Sequence, residues 1–166
     1  SACVLQCRRV SFAPTPAAPP TAAYDAPADN QVAQLLTVTH IPAGCSYASN
    51  SKSDRLSFAT VTDREAFDSV ESVTGYTIRL ESTITTAAEA IAQEAARYEL
   101  STDVFTTTGE ATIDGETAQT YAGASALPDG SGYIAERGAV VTHNGKTFII
   151  EGIALDKSSQ PTVSEE

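Results

Sequence analysis

The sequence predicts an α+β domain: an antiparallel sheet with a C-terminal four-strand meander, packed against one main helix. Two observations carry this. Asp114-Gly115 and Asn144-Gly145 are dipeptides that adopt type I′ turns, whose twist matches that of paired strands. Between residues 87 and 99 lies an amphipathic stretch with a helix start signal.

The two turns and the loop Leu127-Pro128-Asp129-Gly130-Ser131-Gly132 divide the last third into four strands, 103–113, 116–125, 133–142 and 146–155. A two-residue turn at Asn144-Gly145 pairs Val141 with Phe148 and Ala139 with Ile150, so one face is apolar throughout. The opposite face sets Val140 and Ile149 beside Thr142 and Thr147. The expectation is one buried face and one partly covered face.

The helix starts at Thr86, with Glu89 three residues on, the spacing of a capping box. Ala88, Ile91, Ala95 and Tyr98 form its expected packing stripe, opposite Gln93 and Arg97. Upstream, 35–41 and 55–61 read as strands. Residues 75–81 alternate, with Tyr76, Ile78 and Leu80 inward and Thr77, Arg79 and Glu81 outward. A short helix is expected over 63–70.

Residues 10–30 hold five of the eight prolines, so this stretch is expected to be extended, at about 3.1 Å per residue. The domain division is a Pro/Ala-rich stalk over 1–30, a body over 31–157, and a flexible acidic tail over 158–166. A body of this size buries about two thirds of its unfolded surface, enough for its own core. No apolar run approaches the length of a membrane helix. The absence of methionine points to an N-terminal segment removed by processing or by cloning.

The formal net charge of −11, with no local cluster of Lys or Arg, argues against nucleic-acid binding. Three cysteines stand at 3, 7 and 45. Ser1-Ala2-Cys3 is similar to the end of a bacterial lipoprotein cleavage box, with Cys3 as the lipid-bearing residue. Cleavage there would remove Ser1 and Ala2, so these two residues are read as a cloning remnant. With Cys3 lipidated, Cys7 and Cys45 are left as a disulfide pair in an oxidising compartment. Cys3–Cys45, Cys3–Cys7 and three free thiols stay open.

The search for chemistry is negative. His143 precedes the Asn-Gly turn and reads as surface, and His40 lies on a strand. Ser46 beside Cys45 has no nucleophile context. Carboxylate pairs such as Glu65 with Asp68, or Asp114 with Glu116, arise by chance among 21 acids. Asp129-Gly130-Ser131-Gly132 lacks the further acids of a calcium loop, and His40 with Cys45 makes too few zinc ligands. No catalytic residue, metal site or cofactor is expected, and ligand-binding residues are not assigned.

Ile113-Asp114-Gly115-Glu116-Thr117-Ala118 and the run from Val140 to Gly152 around His143-Asn144-Gly145-Lys146, after short strands and a helix, resemble the PsbP-like fold. That fold is shared by the photosystem II extrinsic subunit P and actinobacterial lipoproteins of the LpqN type. The resemblance covers roughly 34–157. It implies an extracytoplasmic, mostly non-enzymatic accessory or binding domain, and carries over no site residue. The functional expectation is thus a non-enzymatic binding or scaffold domain at the cell envelope. Its partner would be an unidentified envelope component or protein, and it would touch the membrane only through the lipid. A secreted hydrolase and a ligand-free structural protein are the rival readings.

Overall fold

Both expected type I′ turns form. Asp114 and Gly115 have φ of 48° and 84°, and Asn144 and Gly145 have 50° and 74°. They join the strands of the meander, β6 (Phe105–Ile113), β7 (Glu116–Ala126), β8 (Tyr133–His143) and β9 (Lys146–Asp156). Val141 pairs with Phe148 and Ala139 with Ile150, the register expected from the turn.

The computed structural model describes residues 10–11, 24–49, 52–63, 66 and 68–163. Ahead of the meander come β1 (Val10–Ser11), α1 (Gln31–Leu35), β2 (Thr37–Val38), β3 (Ser46–Tyr47), β4 (Arg55–Ala59), β5 (Ser72–Leu80) and α2 (Ala87–Arg97). Seven strands form one antiparallel sheet in the order β3-β4-β5-β9-β8-β7-β6, and β1 and β2 pair separately. The protein is therefore mixed α+β on an antiparallel sheet, with α1 and α2 the α-helices bounded among the described residues. The strand expected over 35–41 is divided: Leu35 ends α1, whose Asn30 cap accepts from the Ala33 amide, and only Thr37 and Val38 are extended. The helix expected over 63–70 falls where residues 64, 65 and 67 lie outside the described set.

Strand alternation sends side chains to two faces; one is covered by the N-terminal segments and the other is covered in part by α2. On the first, Leu56, Phe58, Ile78, Ile113, Ala118, Val141, Phe148 and Ile150 pack under Val32, Leu36 and Val38. On the second, α2 lays Ala87, Ala90, Ile91 and Ala95 over Phe105, Tyr121, Val140 and Ile149. This second face is buried only beneath α2, and Thr112, Thr117, Gln119 and Thr142 on the same face are exposed, so it is the partly covered face expected. The expected helix stripe shifts accordingly: Ala88 is exposed, and Ala87, Ala90, Ile91, Glu94 and Ala95 are buried. The capping box of Thr86 and Glu89 forms in both directions, with Thr86 Oγ1 accepting at 3.2 Å and Glu89 Oε2 accepting at 2.7 Å.

Two segments expected to be loose pack on the first face. Within the stalk range, Tyr24 meets Tyr47 at a tilt and Phe58 edge to face, each with centroids 5.4 Å away, Ala26 joins the core, and Asn30 is buried. Val10 and Ser11 pair with β2. Within the tail range, Val163 packs on Ala135 and Ala154, and its carbonyl accepts from Arg137 Nε at 2.7 Å. Gln160 donates to the Ile134 carbonyl at 2.8 Å. The physical reason is that Ala135, Gly152 and Ala154 leave a shallow apolar trough that only a returning chain covers. Cys45 is disulfide-bonded beside the Tyr24 cluster. Cys3 and Cys7 lie outside the described residues.

Candidate functional site

The second face carries a polar cluster inside its apolar packing. Register arithmetic builds it. On β9, Glu151 follows Ile149 by two residues and so faces α2. Gly138 on β8 stands opposite Glu151, with Glu136 two residues away on the same face. Tyr121 on β7 stands opposite Gly138, and on β5 Arg79 stands opposite Ile149. From above, Glu94 enters on the buried side of α2.

Gly138 lets these groups meet. A Cβ there would collide with the Tyr121 ring at Cζ and the hydroxyl, so only glycine leaves room for the ring to lie across β8. The Tyr121 hydroxyl thereby reaches Glu136 Oε1 at 3.3 Å and Glu151 Oε2 at 3.4 Å, sharing one proton between them. Arg79 closes the other side. Its Nη1 donates to Glu94 Oε1 at 2.7 Å and to Glu151 Oε1 at 3.2 Å, its Nε to Glu81 at 2.9 Å, and its Nη2 to Gln93 at 3.1 Å. Arg97 adds longer-range positive charge, 3.7 Å from Glu94 and 3.8 Å from Glu151.

Glu94, Glu136 and Glu151 are 0%, 1% and 0% exposed, and they offer oxygens that all lie within 4.8 Å of one another. Three charges of one sign at that spacing in a dry interior are not tolerable together. Burial, then the charges of Glu151 and Glu94, push the Glu136 carboxyl far above the ordinary range. Burial and Glu94 also raise Glu151, to about 7, while Arg79 and a hydrogen bond from Glu136 hold it down. Glu136 is accordingly the protonated member and donates towards its neighbours. Its Oε2 and that of Glu94 face no other donor among the described residues, the arrangement of carboxyls that share a proton. For Arg79, burial works against the charge, but Glu151, Glu94 and Glu81 outweigh it and the guanidinium is held charged. Burial, with the added charge of Glu151, also drives the Tyr121 hydroxyl strongly upward, so it keeps its proton and donates it to these carboxyls. Arg79 and Arg97 thus face these three carboxyls and Glu81 as well, an excess of acid that the proton on Glu136 reduces. These same three glutamates are the group of oxygens that could hold a metal, but Arg79 already occupies two of them.

Arg79 is also the link to the surface. It lines a cleft of about 500 Å³ with Gln31, Asp54, Arg55, Leu80, Glu81, Ser82 and Gln93. The cleft lies where α1 and the ends of β4 and β5 meet the approach to α2. Its walls are mostly polar, against the apolar patch or pocket expected of a binding domain.

The residues singled out in sequence lie elsewhere. His143 Nδ1 is 2.9 Å from Glu116 Oε1 at the hairpin ends, and neither histidine lines the cleft. Asp129 caps its own turn through the Ser131 amide at 2.9 Å. Ser46 sits on β3, and Glu65 lies outside the described residues. Arg79 and Glu81 had been expected to point to solvent. The usable signal for the cluster was the pairing of Gly138 with Glu151 that follows from the Asn-Gly turn. It places a glutamate on the Val140–Ile149 face beside a glycine.

The fold and cluster together define an α+β protein with an antiparallel seven-stranded sheet and a polar cluster buried beneath a helix. No family model matches the chain, and no curated protein matches it.

Proposed function

We propose that this is an extracytoplasmic, non-enzymatic binding domain of the cell envelope, and that the cleft floored by Arg79 is its ligand site. The observation that carries this reading is the immobilised guanidinium. Four acceptors hold Arg79 in one orientation at the floor of a concave surface, so its ordering is complete before a ligand arrives. The disulfide at Cys45 supports an oxidising compartment, and a lipid on Cys3 would hold the domain at a membrane surface. Among the described residues no helix is long and apolar enough to cross a membrane. The non-enzymatic reading is supported by the closure of the carboxyl cluster beneath α2, where no substrate reaches it, and by the position of His143 away from the cleft.

The test is an amide-resolved NMR titration of the ¹⁵N-labelled protein with dialysable fractions of the envelope of its source organism. The expected result is saturable shifts confined to Gln31, Arg55, Arg79, Leu80 and Gln93. Shifts at no cleft residue with any fraction would contradict the reading. So would recovery of the protein from the cytosol with Cys45 reduced.

A further inference from the structure

Arg55 and Arg79 stand directly opposite each other on β4 and β5, and both line the cleft. Like charges so placed weaken a strand pair, because the facing residues are about 5 Å apart at Cβ. Their surroundings differ. Arg79 has committed Nε and Nη1 to carboxylates, and Nη2 gives one hydrogen to Gln93, which leaves the second. Arg55 touches Asp54 through Nε at 3.2 Å, while its two terminal nitrogens have no hydrogen bond among the described residues. One end of the cleft therefore presents a planar, unsatisfied donor set on a half-buried arginine, beside the remaining edge of a fixed one.

Acceptors complete the site. Each of Asp54 and Glu81 gives one oxygen to an arginine, at 3.2 Å and 2.9 Å, and has a second oxygen to offer. The charged side chains lining the cleft are thus two cations and two anions. A ligand that is itself neutral overall but carries both signs leaves that balance intact. A dianion such as phosphate would add to the carboxylates of Glu94 and Glu151 directly behind Arg79, on a protein whose formal net charge is already −11. Leu80 is the one aliphatic side chain in the lining, so recognition falls on charged groups and not on a hydrocarbon tail.

We infer that the cleft takes the head group of an α-amino acid. Its carboxylate lies across the free edges of Arg55 and Arg79, and its ammonium is met by the second oxygens of Asp54 and Glu81. A fork-shaped guanidinium suits a carboxylate, through two parallel charge-assisted bonds. The head group belongs either to a free amino acid or to the end of a larger molecule that leaves both its charges free. This assignment rests on the reading of the cleft as a ligand site.

The experiment is an amide-resolved titration of the full chain with glycine, Nε-acetyl-lysine, acetate, methylammonium and inorganic phosphate in parallel. The expected result is saturable shifts at Arg55 and Arg79 with glycine or Nε-acetyl-lysine, at least about tenfold tighter than with acetate or methylammonium. Binding of both compounds indicates a free amino acid, and binding of Nε-acetyl-lysine alone indicates a head group on a longer molecule; either supports the inference. Arg55→Gln should weaken that binding about tenfold while the remaining amide spectrum stays unchanged, since Arg55 lies outside the buried cluster. Acetate binding as well as glycine, phosphate binding alone, or no shift with either zwitterion overturns it. If envelope fractions shift the cleft amides while no zwitterion does, the binding reading survives without this ligand class. If neither does, both are lost.

Discussion

Arg79→Leu is expected to lower stability by about 3–5 kcal/mol at neutral pH, because it removes the partner and leaves buried charge behind. Glu94 and Glu151 each lose a guanidinium bond, at 2.7 and 3.2 Å, and both are almost wholly buried. Arg97 is half-exposed and 3.7–3.8 Å away, too distant to replace either bond. The sign with pH is part of the expectation. Burial raises the Glu151 carboxyl to about 7, and where it holds its proton there is less charge to strand, so the cost of the substitution should shrink towards about pH 5 and grow towards about pH 8. Urea unfolding of wild type and variant at both pH values measures this. A cost that is small, or equal at the two pH values, would mean the carboxyls are not held as charges by Arg79. Arg79→Lys should fare little better, since one ammonium cannot reach Glu81, Gln93, Glu94 and Glu151 together.

Gly138→Ala is the second large effect, from a single methyl group. The added Cβ would sit inside the Tyr121 ring, which is itself 1% exposed and walled by Val140, Ile149 and α2. Overpacking of this kind costs about 1–3 kcal/mol, and displacement of the hydroxyl from Glu136 and Glu151 adds to that. Gly75→Ala provides the control. It is also a strand glycine, but its Cβ would meet only ordinary contacts at 3.6 and 3.7 Å. Thermal unfolding should therefore show a drop of several degrees for Gly138→Ala and little change for Gly75→Ala. Equal effects would show that the Tyr121 stacking is not what requires glycine at 138.

The elements legible in sequence are those written by local chemistry. Asp114-Gly115 and Asn144-Gly145 require positive φ at both turn positions, and that alone sets the meander and its register. Thr86 and Glu89 start α2 by a bond each makes to the other's backbone. The cluster was less legible because it is assembled across the fold. Arg79 meets Glu151 across 72 residues, and nothing near 79 in sequence announces that a helix will cover it. Strand alternation correctly separates Arg79 from Ile78, but alternation names two faces without saying which face is wet. Glu94 misleads for a related reason. It lies on the same side of α2 as Ile91 and Ala95, where a lone acid among alanines reads as the edge of a stripe and not its centre. The docking of residues 158–163 was hidden in the same way, since the trough that receives Val163 is made by small residues on two other strands.

The central claim is that the three buried glutamates share a proton, held mainly on Glu136, that keeps Arg79 in place. Its most direct test is the unfolding free energy of wild type and Glu136→Gln measured in urea from pH 5 to pH 8.5. A carboxyl raised in the folded state keeps a proton that the unfolded chain has already released above its ordinary value of 4.5. Stability therefore falls as pH rises, from 4.5 to about 7 for Glu151 and further for Glu136, by about 1.4 kcal/mol per pH unit for each proton retained. Glutamine at 136 imitates the protonated carboxyl and has no proton to lose. The account predicts a wild type that weakens steadily with rising pH. Glu136→Gln should show a slope shallower by about one proton and match or exceed wild-type stability at the alkaline end. A wild-type stability that is flat or rises over this range, or a variant with an unchanged slope, would contradict it.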